Sequence, residues 1–88
     1  MARFEMTGAD IGSMSATGNA DVLYELGILY STGRNADLDL VTAHKWFNIA
    51  AAKGNHTARD RRAEVALQMS HAELASAQKA AREWMTLH

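Results

Sequence analysis

Four histidines, three arginines within four positions and a scatter of serines and carboxylates are the side chains with chemistry to offer in this chain. His44, His56, His71 and His88 include no pair three or four residues apart, the spacing that sets two imidazoles on one helical face, and no cysteine could complete a ligand set. Zinc takes about four converging ligands in a structural site and three in a catalytic one, so no metal is expected. His44 falls instead at the edge of a helix, and His71 in the first turn of another. Catalysis needs a nucleophile beside a base, or two carboxylates sharing a pocket. Ser31, Ser70, Asp37 and Asp39 stand where helix ends and loops already require such residues, so neither an enzyme nor a cofactor site is expected. The run ARDRRAEV at 58–65 interleaves charges of both signs, with Asp60 and Arg61 each at a neighbour spacing from Glu64. That is the pattern of a solvated helix face, and it argues against a phosphate-binding strip.

The elements that position these residues are constrained by size. A chain of 88 residues hides only about 60% of its unfolded surface, and with no disulfide its core must be held by close helix packing or self-association. A hydrophobic content of 48% against 22% charged excludes disorder throughout. The net charge of -1 gives no overall attraction to nucleic acid or anionic lipid. Its distribution is uneven: residues 1–44 carry two basic and six acidic side chains, residues 45–88 seven basic and four acidic. Such polarity favours head-to-tail association or a bridging partner. The opening MARFEMTGADIGSMSATGNA has no apolar run long enough for a signal peptide or membrane span, which leads to the expectation of a cytoplasmic chain.

Proline is absent, and strong helix formers dominate from residue 20 onward. Residues 1–19 read as a flexible arm, with Phe4, Met6, Ile11 and Met14 able to dock, and residues 20–88 as the folded domain. A first helix runs from the cap Asn19 to about Ser31, with Val22, Leu26, Leu29 and Tyr30 as its apolar stripe and Gly33 as its stop. Gly27 inside that helix costs about 1 kcal/mol relative to alanine, which points to the close approach of another backbone. A second helix begins after Asp37 or Asp39 and reaches Lys53 and Gly54, with Leu40, Ala43, Phe47, Ala50 and Ala51 inward. Trp46 and Phe47 beside alanines at helical spacing read as core packing, not as a cofactor box. Asn55 caps a third helix to about Met69, with Ala58, Val65, Ala66 and Met69 on one face and Arg62 interrupting it. Ser70 and Glu73 form a capping box for a fourth helix, which continues to Met85 and buries Leu74, Ala77, Ala81 and Trp84. Short connections predict antiparallel neighbours throughout.

Offsetting the first helix by 36 residues lays Val22 on Ala58, Leu26 on Arg62 and Gly27 on Ala63, a faint repeat. The first helix pair is denser in signal. Leu26 with Gly27, then Tyr30, Gly33, Asp39, Ala43, Trp46 with Phe47, Ala50 with Ala51, Gly54 and Ala58 resemble a Sel-one-like repeat, a relative of the tetratricopeptide repeats. A second glycine usual in that family's loop is Asn35 here, followed by Ala36, and asparagine tolerates the left-handed conformation. The third helix lacks the Leu-Gly pair. The resemblance implies an all-α, antiparallel stack of about four helices in an alpha-alpha superhelix, with one full repeat and a degenerate capping helix pair.

The family's proteins hold other proteins on the concave face of the stack, in bacteria often within signalling, envelope or cell-cycle assemblies. The resemblance therefore implies a non-catalytic adaptor for a protein or peptide partner. Its contact residues would lie off the apolar stripe of the first helix of each pair: Tyr24, Glu25 and Ile28, with Asp60, Arg61 and Glu64 as counterparts. A homo-oligomer in which copies stack as repeat units is the second reading, since arrays need about three repeats to be stable. Neither a membrane nor nucleic acid is an expected partner.

Overall fold

The computed structural model describes residues 19–33 and 37–88. The expected arm with Phe4, Met6, Ile11 and Met14, and the loop positions Asn35 and Ala36, lie outside them. The described residues form an all-helical stack of α1 (Ala20–Thr32), α2 (Leu40–Ala52), α3 (His56–Ala66) and α4 (His71–Leu87), with no strand among them.

Each helix begins at a side chain able to satisfy amides that have no partner within the helix. Asn19 Oδ1 accepts from the amides of Asp21 and Val22, at 2.9 and 3.1 Å. Asp39, not Asp37, caps α2: its carboxylate accepts from the Thr42 amide and, at 2.7 Å, from the Thr42 hydroxyl. Ser70 and Glu73 complete the capping box, with Ser70 N donating to Glu73 Oε1 at 2.8 Å and Glu73 N to Ser70 Oγ at 3.1 Å. Gly33 closes α1 at φ 73°, a left-handed conformation that residues with a Cβ rarely adopt. The Asp39 amide then donates to the Tyr30 carbonyl at 2.9 Å, fastening the start of α2 to the end of α1.

All three other helices pack on α2. One of its faces carries Ala43, Phe47 and Ala50 against Leu23 and Leu26 of α1; these five side chains are at most 1% exposed. A second face carries Trp46, whose ring meets Trp84 of α4 edge-on at 5.8 Å between centroids. A third carries Asn48, whose Oδ1 accepts from Arg62 Nη1 of α3 at 2.7 Å. By contrast α3 and α4, though consecutive, make almost no close backbone approach to each other. The expectation of antiparallel neighbours at every short connection therefore fails at this corner. The chain leaves α3 at Ala66 through Leu67 in right-handed conformation, so nothing there reverses it as Gly33 does after α1. The helix also ends three residues before the expected Met69, whereas α4 runs two beyond Met85.

The stripe of α1 is rotated from the expected one. Leu23 and Leu26 are fully buried, while Val22, Leu29 and Tyr30 are only partly covered. Ile49 of α2 is fully buried without being an expected inward residue, and Leu74 of α4 is half-exposed. His44 is not at a helix edge but buried. The close approach expected at Gly27 is that of a side chain on α2: a Cβ built on Gly27 would overlap the ring of Phe47. Phe47 thus sits against α1 at the position the missing side chain leaves open.

Replacing Gly27 is accordingly predicted to invert the usual helix rule. Alanine stabilises an exposed helix interior by about 1 kcal/mol over glycine. Here the methyl must displace a buried ring, and overpacking of this kind costs about 1–3 kcal/mol. In urea unfolding, Gly27→Ala lowers stability, and adding Phe47→Leu recovers part of the loss; a stabilised Gly27→Ala would contradict the packing.

Candidate functional site

One side chain fixes how α1 and α3 meet. Asn55, the cap of α3, accepts from the Ala58 amide through Oδ1 at 2.8 Å and donates through Nδ2 to Asp21 Oδ1 of α1 at 3.1 Å. An amide carries both an acceptor and donors, so a single residue starts one helix and ties it to the first turn of another. The two helices begin side by side, and because residues 28–32 and 61–68 border one groove they run in the same general direction. Beyond the tie their backbones make little close approach.

The separation leaves a groove of about 310 Å³. Ile28, Ser31 and Thr32 of α1 form one wall, Arg61, Glu64 and Val65 of α3 with Gln68 just beyond it form the other, and Leu40 and Phe47 of α2 lie between. The hydroxyls of Ser31 and Thr32 both donate back to the Ile28 carbonyl, at 3.1 and 2.8 Å. Arg61 Nη1 donates to Glu64 Oε1 at 3.1 Å on the exposed side of α3. The guanidinium is held above its ordinary range by hydrogen bonding to the Tyr24 side chain and, after it, to Glu64. Tyr24 itself leans on Phe47, with ring centroids 5.7 Å apart. The floor is therefore apolar and the rim polar.

Of the six expected contact residues, Ile28, Arg61 and Glu64 line this groove; Tyr24 does not line it but packs on Phe47 behind it. Glu25 and Asp60 are exposed but do not line it. The groove adds Ser31, Thr32, Val65 and Gln68, which are not among those six although helical spacing points to them. Ser31 and Thr32 stand three and four positions after Ile28, and Val65 and Gln68 stand four and seven after Arg61. Leu40 and Phe47, expected as core, lie behind the groove: Phe47 is fully buried core, and Leu40 is partly exposed.

A depression of about 560 Å³ runs along α4, but Lys79, Arg82, Glu83, Thr86 and Leu87 all belong to that one helix, so no second element fixes its shape. Among the described residues no three histidine, aspartate or glutamate side chains converge as a metal would require. No helix among them is long and apolar enough to cross a membrane. No model of a known protein family, no curated protein and no solved structure matches the chain.

The double use of Asn55 can be tested apart from its capping role. Asn55→Asp keeps an acceptor for the Ala58 amide but sets a second carboxylate against Asp21. Like charges at about 4 Å cost on the order of 1 kcal/mol in water, and salt screens them. Stability should fall by at least that order in dilute buffer, through repulsion and the lost amide donor together, with the repulsive part recovered in molar salt. Unchanged stability in dilute buffer would contradict the contact.

Proposed function

We propose that the chain is a non-catalytic protein-interaction module, of the helical-repeat kind that the Sel-one-like resemblance suggests, and that it receives a segment of a partner protein between α1 and α3. The groove between α1 and α3 carries this reading. It offers apolar surface at the partly exposed Ile28 and Leu40 within a polar rim, the arrangement by which helical grooves seat an apolar anchor of a partner chain. The Arg61–Glu64 pair is exposed, with side chains 49% and 62% accessible. Pairs of this kind contribute under about 1 kcal/mol, so either member is free to turn to a partner.

The residues of the resemblance have matching physical roles. Gly27, Ala43 and Ala50 let α1 and α2 close up, Gly33 and Gly54 turn the chain at φ 73° and 109°, and α1 and α3 run in parallel as the first helices of successive repeats do.

Selection from a displayed random-peptide library tests the reading whatever the partner's identity. Enriched peptides should share an apolar anchor, and Ile28→Lys should weaken their binding. Burying one aliphatic side chain contributes about 1.5–3 kcal/mol, which corresponds to a Kd roughly ten to a hundred times weaker. Charge reversal by Arg61→Glu should weaken them as well, with the unfolding midpoint little changed because Arg61 is exposed. Absence of enrichment, or equal affinity for wild type and Ile28→Lys, would sink the proposal.

A further inference from the structure

We propose that the junction of α2 with α3 is an acid-sensitive latch: His44, buried on α2 one turn before the Asn48 that anchors Arg62 of α3, lets α3 stay in place while neutral and releases it when protonated.

His44 is 3% exposed, and its Nδ1 has no hydrogen-bond partner among the described residues. A buried imidazole in that state is tolerated when neutral, whereas its cation would need a carboxylate or other acceptor. The charged group that bears on it is Arg62 of α3, anchored one turn along α2 on Asn48. Among the described residues no acid from α1, α3 or α4 offsets that charge. On α3, Asp60 and Glu64 are exposed and Glu64 pairs with Arg61; on α1, Asp21 accepts from Asn55. Lys45, next in sequence, directs its Nζ over the Trp46 ring at 4.3 Å. A proton taken up by His44 would therefore add a positive charge near another in a site with little exposure to water.

The consequence should concentrate on α3 because that helix has the least apolar attachment. Only Ala58 and Val65 of its residues are buried, whereas α1 and α2 share Leu23, Leu26, Phe47 and Ile49. Burial first, and then Arg62, hold His44 below its ordinary value of 6.5. The neutral form thus belongs to the folded state: stability is complete above pH 6.5 and is lost as pH falls below it, through the folded-state pKa. Because Arg61, Glu64 and Val65 make one wall of the groove, release of α3 would also dismantle the groove. That last consequence rests on the proposed function; the latch itself does not.

Two NMR readouts test the latch on the whole chain. Amide protection factors, corrected for intrinsic exchange, should fall selectively in α3 between about pH 7.5 and about pH 5, and the His44 ring should titrate below 6.5. His44→Phe should abolish the selective loss. Arg62→Gln keeps a donor for Asn48 without the charge, and should raise the His44 midpoint and reduce the loss, so the test stands even where His44→Phe fails to fold. Protection of α3 that is unchanged by acid, that falls equally in His44→Phe, or a His44 midpoint at or above 6.5 and indifferent to Arg62→Gln would overturn the proposal. A selective loss in α3 from a chain that selects no peptides would leave the latch standing and remove the groove reading alone.

Discussion

The ring of Phe47 lies where the side chain of residue 27 would be, and the rest of the fold depends on the absence of that side chain. Glycine in a helix interior weakens the helix, yet here it lets a large apolar ring sink between α1 and α2 to 1% exposure. The contact sets the distance between the two helices. It also brings the ring of Tyr24 onto Phe47, which lies buried behind the groove. Core packing thus sets the shape of the candidate site.

From that contact the division of α2 into three faces follows. Small residues and Phe47 take α1, Trp46 takes Trp84 of α4, and a polar strip with Asn48 takes Arg62 of α3. The three junctions differ in kind. Apolar burial is worth about 25 cal/mol per Å² and does not depend on pH, whereas a seam of amide, guanidinium and imidazole depends on protonation and supplies little hydrophobic stabilisation. Trp84 is further enclosed by His88, stacked at 4.3 Å, which steadies the carboxyl end of α4. Helix α3 is held at its start by Asn55 and along its length by Arg62. Its far end, beside α1, is where the groove opens.

Much of the framework is legible in the residues because it rests on local rules. Asn19, Asp39, Asn55 and Ser70 cap helices as their types require, and Gly33 adopts the positive φ that its position after a helix suggests. What escapes is tertiary. Periodicity alone leaves the stripe of α1 a residue out of phase, because Val22 and Leu23, or Leu29 and Tyr30, are equally apolar and only the position of α2 decides between them. Burial of His44 is hidden for a similar reason: its neighbour is Arg62, distant in sequence, on a face that composition marks as polar. Nor does the sequence reveal that α3 and α4 pack independently on α2, since a short connection limits separation but not direction. For the site, Ile28, Arg61 and Glu64 are reachable from their helical positions, whereas Leu40 reads as core although it stays partly exposed beside the groove.

Helix α2 is the common support of three helices, and the groove is the gap that this arrangement leaves. Interhelical nuclear Overhauser contacts in solution test it most directly. Contacts from Phe47 ring protons to the Gly27 α-protons, from Trp46 to Trp84 and from Asn48 to Arg62, with few between α3 and α4, are the predicted set. A set in which α3 and α4 pair along their lengths as a hairpin, and Phe47 shows no contact with Gly27, would contradict it.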